Sequence, residues 1–214
     1  MKYNVRFFAV VLALAAMLLT GNAAWADKAF DFALPDADGK IFRLSDYRGK
    51  YVVVDFIMVT CPHCQVAGKV LQKLYGENSK QLMVISISTD FMPGLGLPAL
   101  SPGLRQYAQM EGATYPILMG NWEVVGRYLG VNPARPNFHV PVFFFISPSG
   151  DIILERNSEH AVDKDWYGTG VPGGDQVMER NLEADVKKIL PPQKPAAKAR
   201  KTGVAKKQAA AKKQ

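Results

Sequence analysis

Two cysteines separated by two residues are the feature of this 214-residue chain that is best suited to chemistry. Cys61 and Cys64 flank Pro62 and His63, and they are the only cysteines in the sequence. Two cysteines at this spacing on one helical turn can form a disulfide and exchange it with other thiols. The four residues therefore predict thiol–disulfide redox chemistry.

The position of the pair predicts a different role for each thiol. The apolar, β-branched run Tyr51–Val59 precedes it and predicts a buried central strand, while Pro62 and apolar residues at helical spacing predict a helix. Cys61 then lies at a helix N-terminus, where backbone N–H groups and the helix dipole favour the thiolate. We expect Cys61 to be the exposed nucleophile and Cys64 the buried resolving thiol, with protonated His63 stabilising the thiolate.

The elements around the cysteines predict an α/β domain with a central mixed β-sheet and helices on both faces. An N-terminal β-hairpin is predicted around the turn Asp36–Lys40. The other strands are predicted at Tyr51–Val59, Leu82–Ser88, Tyr115–Leu118, Val142–Ile146 and Ile152–Arg156. Helices are predicted from Pro62 and at Leu104–Glu111, Trp122–Leu129 and Gln176–Leu190. We interpret Met92–Gly103 as irregular and Trp166–Gly174 as a surface loop, with a flap near the cysteines as the alternative.

The net charge of +7 does not indicate a nucleic-acid-binding protein, because it comes from the two ends of the chain. Residues 27–190, the predicted domain, hold sixteen basic residues and all nineteen acidic residues. Residues 191–214 carry eight Lys or Arg and no acid. This Lys/Ala-rich tail lacks the apolar residues needed for a core, so we expect it to be disordered. We interpret it as a solubilising extension, with weak electrostatic contact with anionic lipid, a cell-wall polymer or an acidic partner as the alternative.

The first 26 residues are typical of a signal peptide. Lys2 and Arg6 precede the apolar run Phe7–Leu19, and Ala24-Trp25-Ala26 is a small-x-small cleavage site. We therefore expect a periplasmic or otherwise exported protein that is cleaved near Ala26, with an uncleaved N-terminal anchor as the alternative. An oxidising compartment would let a disulfide persist.

Several separated motifs resemble the TlpA-like and peroxiredoxin-like (redoxin) branch of the thioredoxin superfamily over about residues 28–157. They are Phe30-x-Phe-x-Leu-Pro, Asp38-Gly39-Lys40, Leu44–Lys50, Val53–Phe56, Cys-Pro-His-Cys, Val140-Pro141 and Phe144–Asp151. The resemblance implies a thioredoxin-like fold and exchange of disulfides with protein partners. No organic cofactor is expected, because the sequence has no phosphate-cradling glycine motif. If the pair is a reductant, proteins of cytochrome or copper-site assembly are the expected partners.

Family roles are carried over where the motifs match. Cys61 and Cys64 match the redox pair, and Pro141 matches the cis proline that faces it. Pro62, Val140 and Pro141 are accordingly the expected substrate-binding residues, although a trans proline at 141 is the alternative. Asp55 matches a buried acid that accepts a proton from Cys64, with a carboxylate that reaches water as the alternative.

The resemblance leaves the direction of electron transfer open. The Pro62-His63 dipeptide between the cysteines, with Val140 before the proline, resembles the oxidant DsbA, whose reduced form is unusually stable. The rest of the sequence resembles proteins associated with reduction. Thr60 also stands where the family often has Trp.

Two other functions compete with this hypothesis. The Sco copper chaperones share the fold, and Cys61, Cys64 and His139 could together bind Cu(I), although Sco proteins have three residues between the cysteines. A peroxidase is the other alternative. Peroxiredoxins need Thr or Ser and Pro where this chain has Met58 and Val54, which argues against peroxide chemistry.

Overall fold

The computed structural model describes residues 27–91, 97–157, 164–169 and 172–192. Within them lie an N-terminal hairpin, a five-stranded mixed sheet and helices on both faces of that sheet. The predicted signal peptide, residues 1–26, and the predicted tail from residue 193 onward lie outside the described residues.

The hairpin contains β1 (Ala33–Pro35) and β2 (Ile41–Arg43), and a 3-10 turn follows at Leu44–Tyr47. The sheet contains β3 (Tyr51–Ile57), β4 (Leu82–Ser88), β5 (Ile117–Met119), β6 (Val142–Ile146) and β7 (Ile152–Asn157) in the order β5-β4-β3-β6-β7. The helices are α1 (Pro62–Asn78), α2 (Leu97–Glu111), α3 (Trp122–Leu129), α4 (Lys164–Tyr167) and α5 (Gly174–Ile189). β4 runs parallel to β3 and β5, whereas β6 runs antiparallel to β3 and β7.

The central strand β3 separates two apolar layers, as its unbroken apolar sequence requires. Val53 and Ile57 pack into the layer formed with α1, α2 and α5. The even-numbered residues of β3 pack into the opposite layer with α3 and the hairpin. Side chains alternate along a strand, so Asp55 faces the same side as Val53 and Ile57, beneath α1.

The predicted hairpin turn is confirmed, and its chemistry explains its shape. The Asp36 carboxylate accepts hydrogen bonds from the backbone N–H groups of Asp38 (2.8 Å) and Lys40 (3.0 Å). Gly39 has a φ of +82°, a conformation that glycine adopts without steric cost. The mixed sheet with helices on both faces is likewise confirmed.

The prediction that Met92–Gly103 is irregular is wrong for its second half. Helix α2 begins at Leu97 and contains Pro102, a residue that removes one backbone hydrogen bond from a helix. The helix continues past the proline because Leu104 and Tyr107 are buried in the core, and their packing outweighs the lost bond. Residues 92–96 lie outside the described residues.

No helix in the described part of the chain has both the length and the apolar character needed to cross a membrane.

Candidate active site

Cys61 is the N-cap of α1, and its neighbours hold its sulfur at the helix terminus. Its backbone N–H donates to the Met58 carbonyl (3.0 Å), and its Sγ accepts a hydrogen bond from the Cys64 N–H (3.3 Å). Pro62 is exposed at the first helical position, where a missing N–H costs nothing. Cys61 is partly exposed and Cys64 is fully buried, and both are free thiols.

The surroundings of Cys61 favour its thiolate. A hydrogen bond from the Cys64 thiol, together with the backbone N–H groups of Cys64 and His63, lowers the pKa of Cys61 to about 6. The positive charge of His63 acts in the same direction, while partial burial opposes it. This is the effect expected of a thiol at a helix N-terminus.

The surroundings of Cys64 favour its neutral thiol. Burial raises the pKa of Cys64, and its hydrogen bond to Cys61 and the charge of Asp55 raise it further. The two cysteines therefore differ in exposure and in pKa in the sense that the sequence predicted.

Asp55 lies wholly inside the protein, so the alternative that it reaches water is wrong. Its Oδ2 accepts a hydrogen bond from Ser86 Oγ (3.3 Å), the residue opposite it on β4, and its Oδ1 has no hydrogen-bond partner among the described residues. Burial raises the pKa of Asp55 well above its usual range, against a smaller lowering by Ser86.

The peptide bond between Val140 and Pro141 is cis, as predicted. The Val140 carbonyl lies 3.8 Å from the Cys61 sulfur, within reach of a hydrogen bond from the thiol. This contact follows from the sheet topology. Because β6 runs antiparallel to β3, the start of β6 at Val142 is paired with Phe56 at the end of β3, next to the cysteine loop.

A cleft of about 410 Å³ opens beside the cysteine pair. Three parts of the chain form it: the first turn of α1, the segment before β6, and the connection from α4 to α5. The residues that line it include His63, His139, Val140, Pro141, Tyr167 and Asp175. Tyr167 lines the cleft as the alternative of a flap near the cysteines anticipates, whereas Asp175 was not predicted from the sequence.

Comparison with known families gives a clear assignment. The AhpC/TSA family model matches residues 25–154, more than half of the chain. This chain belongs to the AhpC/TSA family. That segment includes the cysteine pair, Asp55 and the cis Val140–Pro141 bond.

Curated relatives of this AhpC/TSA-family chain include two bacterial proteins named thiol-disulfide oxidoreductase ResA. The protein from Geobacillus kaustophilus (strain HTA426) is 30% identical over 123 residues, and that from Geobacillus thermodenitrificans (strain NG80-2) is 29% identical over the same length. Each alignment covers 57% of this chain and 63% of the relative. The chain therefore spans slightly less than two thirds of these relatives' length.

Solved structures confirm that this AhpC/TSA-family chain has a thioredoxin-like fold. A thiol:disulfide interchange protein of the thioredoxin family from Chlorobium tepidum TLS has a TM-score of 0.54 and 18% identity, and the alignment covers 76% of this chain and 98% of that structure. Peroxidoxin BcpB from Mycobacterium tuberculosis has a TM-score of 0.55 and 22% identity, with 78% and 97% covered. At these identities the likeness concerns the fold alone.

The prediction of a surface loop at Trp166–Gly174 is wrong at its start. Trp166 is buried, and its indole N–H donates to the Asp185 carboxylate (2.8 Å). The Tyr167 hydroxyl lies within hydrogen-bond distance of the carbonyls of Pro141 (3.0 Å) and Arg156 (2.8 Å). Two adjacent aromatic residues before a glycine-rich stretch were the available sequence signal for such packing.

Neither alternative function is favoured for this AhpC/TSA-family chain. Among the described residues, no group of three or more His, Cys, Asp or Glu side chains is arranged to hold a metal ion. The positions that peroxidases require are occupied by Met58, which is exposed, and Val54, which is in the core. The curated relatives are also named as thiol-disulfide oxidoreductases.

Proposed function

We propose that this protein is a thiol–disulfide oxidoreductase that exchanges disulfides with other proteins through Cys61 and Cys64. The observation that carries this proposal is the asymmetry of the pair. A partly exposed thiol with a pKa of about 6 stands at a helix N-terminus, one turn from a buried thiol whose pKa is raised. This combination suits attack by the first thiol and resolution by the second.

The reaction proceeds through a mixed disulfide. The Cys61 thiolate attacks one sulfur of a substrate disulfide, so that a bond forms between Cys61 and that sulfur and the second substrate sulfur leaves as a thiolate. Cys64 then loses its proton to the Asp55 carboxylate and attacks the Cys61 sulfur. The first substrate sulfur leaves, and the protein holds a Cys61–Cys64 disulfide. Two electrons have passed to the substrate, and the same steps in reverse oxidise a substrate dithiol.

The cis-proline segment and the cleft supply the substrate-binding surface. Pro62 follows Cys61 at the start of α1, and the carbonyl of Val140, the residue before Pro141, faces the Cys61 sulfur. An extended substrate chain that places its cysteine at Cys61 must therefore run past Val140. The dithiol carries both electrons, so the exchange needs no organic cofactor and no metal. The substrates are proteins with accessible disulfides or thiols, among them proteins of cytochrome or copper-site assembly.

Substitution of each cysteine by serine tests this mechanism. In assays of insulin reduction and of dithiol-peptide oxidation, we expect Cys61→Ser to abolish turnover, because the attacking sulfur is lost. Cys64→Ser provides the matched comparison, since it keeps the attacking thiol and should accumulate a mixed disulfide that non-reducing electrophoresis detects. Full activity of the Cys61→Ser protein would overturn the proposal.

The proposed reaction also suits an exported protein, because a protein disulfide persists in an oxidising compartment. Cleavage near Ala26 and release of a chain that starts at Asp27 are part of the proposal. N-terminal sequencing of the protein recovered from the periplasm or medium tests it, and an N-terminus at Met1 would contradict it.

The basic tail, residues 191–214, is proposed to be dispensable for exchange with a small disulfide, which a truncation at Leu190 tests.

A further inference from the structure

An ion pair joins the dipeptide between the cysteines to the C-terminal helix. His63 Nδ1 lies 2.6 Å from the Oδ1 of Asp175, a residue 112 positions away in the sequence. Both side chains line the cleft beside Cys61. The contact therefore connects a residue between the two cysteines with the first turn of α5, to which the exchange reaction described above assigns no chemical step.

Helix α5 presents Asp175 to His63 from a fixed position. Met178, Leu182 and Val186 on α5 are buried in the same core layer as α1. A second ion pair, Lys73 with Glu183 (2.7 Å), joins the same two helices farther from the cysteines. The position of Asp175 is thus set by helix packing, and not by its contact with His63 alone.

The pair affects Cys61 through the charge of His63. The charge of His63 lowers the pKa of Cys61, and the Asp175 carboxylate, 2.6 Å from the imidazole, fixes where that charge lies. The carboxylate's own field on the sulfur has the opposite sign. Asp175 contacts His63 and is not a hydrogen-bond partner of Cys61 among the described residues, so its direct link to the redox pair runs through His63.

We propose that Asp175 is a positioning residue for the redox pair: its contact with His63 holds the imidazole beside the first turn of α1 and thereby favours the Cys61 thiolate. The role rests on the proposed function for its significance. Asp175 also stabilises α5 directly, because an acidic residue in the first turn of a helix interacts favourably with the helix dipole. The proposed positioning of His63 is a separate role. The two roles give different results in a double-mutant cycle.

The experiment measures the pKa of Cys61 in the reduced full-length protein from the ultraviolet absorbance of its thiolate. For Asp175→Asn we expect the pKa of Cys61 to rise by about 0.5, a roughly threefold decrease in the acid dissociation constant of the thiol. The expected shift is small because both side chains of the pair are partly exposed. Asp175→Glu should keep the pKa close to that of the unchanged protein. Glu183→Gln is the matched control, since it removes an ion pair between the same helices and should leave the pKa unchanged.

The same substitution in a His63→Ala background identifies the route of the effect. If Asp175 acts through His63, Asp175→Asn has no effect on the Cys61 pKa when the imidazole is absent. An equal shift in both backgrounds, or an unchanged or lowered pKa in the Asp175→Asn protein, would overturn the proposal. Thermal unfolding of each variant shows that it is folded. Because the readout is a pKa, the proposal can fail while insulin reduction by the unchanged protein still supports the proposed function.

Discussion

The Cys61 sulfur and the Val140 carbonyl lie 3.8 Å apart, although 79 residues separate them in the sequence. The end of β3 and the start of β6 meet at one edge of the sheet because the two strands are antiparallel neighbours. A backbone acceptor is thereby placed beside the attacking thiol. The order of the strands in the sheet thus places the Val140 backbone, and not another segment, where a bound substrate chain would pass Cys61.

The reactivity of Cys61 should depend on pH below neutrality. We expect the rate of alkylation by iodoacetamide to rise with pH and to reach a plateau, with a midpoint near the Cys61 pKa of about 6, because only the thiolate reacts. Cys64 should stay unmodified in the folded protein because it is buried and neutral.

Cys64→Ala supplies the control for this profile. It removes the thiol hydrogen bond that is the largest cause of the lowered pKa, so the midpoint should move upward. A midpoint near about 8.5, the value for an unperturbed cysteine, in the unchanged protein would contradict this account of the site.

Asp55→Asn should stabilise the protein, by about 1–3 kcal/mol at neutral pH, because it removes a buried carboxylate with an unpaired oxygen. The pKa of Asp55 is raised on folding, so the folded state binds the proton more tightly than the unfolded state. Below the pKa of Asp55 in the unfolded chain, the residue therefore does not lower the free energy of unfolding. As the pH rises from there towards its pKa in the folded protein, Asp55 lowers the free energy of unfolding by an increasing amount.

Urea unfolding of both proteins at pH 3.5 and pH 7 measures this difference, given that an unfolded Asp titrates near about pH 3.9. The stabilisation should be small at the lower pH and larger at the higher one. Ser86→Ala is the companion variant and should destabilise the protein, since it removes the hydrogen bond to Asp55. A stabilisation by Asp55→Asn that does not change with pH would count against the raised pKa.

Tyr167→Phe should weaken binding of protein substrates more than it slows the chemistry. The hydroxyl donates one proton and lies within hydrogen-bond distance of the carbonyls of Pro141 and Arg156, so its loss removes an anchor of the cis-proline segment next to Cys61. We expect KM for a protein disulfide to rise several-fold with a smaller change in kcat, and the free energy of unfolding to fall by about 1 kcal/mol.

Tyr128→Phe is the control for this prediction. Its hydroxyl donates to the Phe30 carbonyl (2.8 Å) in the opposite core layer, and Tyr128 does not line the cleft, so the stability cost should be similar and KM unchanged. Equal effects of the two substitutions on KM would show that Tyr167 has no special link to the site.

Two glycines of α1 should respond in opposite ways to alanine. A Cβ at Gly68 would lie 2.8 Å from the Tyr107 hydroxyl, which donates to the Cys64 carbonyl (2.8 Å), so Gly68→Ala should destabilise by about 1–3 kcal/mol. A Cβ at Gly76 would meet nothing within 4 Å, so Gly76→Ala should stabilise by up to about 1 kcal/mol. Thermal unfolding distinguishes them, and a stabilising Gly68→Ala would show that this packing is wrongly described.

The parts of the fold with strong local patterns were predictable from the sequence. β4, β6 and α3 have the predicted bounds, because continuous apolar runs and helical spacing specify them without long-range information. The redox pair and the cis proline were found for a similar reason, since each is a short motif.

Features that depend on distant contacts were not predictable. α2 extends across Pro102 because tertiary packing outweighs a local signal that normally ends a helix. The ion pair of His63 with Asp175 joins residues 112 positions apart, and no local pattern marks either residue as the other's partner. The aromatic pair Trp166-Tyr167 indicates packing, but no local pattern specifies that the Tyr167 hydroxyl reaches the Pro141 carbonyl.

The redox equilibrium of the cysteine pair tests the central claim most directly. The full-length protein is equilibrated in glutathione buffers of graded composition, and the free thiols are then trapped and counted. Our account predicts one two-electron transition in which Cys61 and Cys64 form a single disulfide, at a potential above about −270 mV because the Cys61 thiolate stabilises the reduced form. Failure of the two cysteines to form a disulfide with each other, or two independent transitions, would contradict the account.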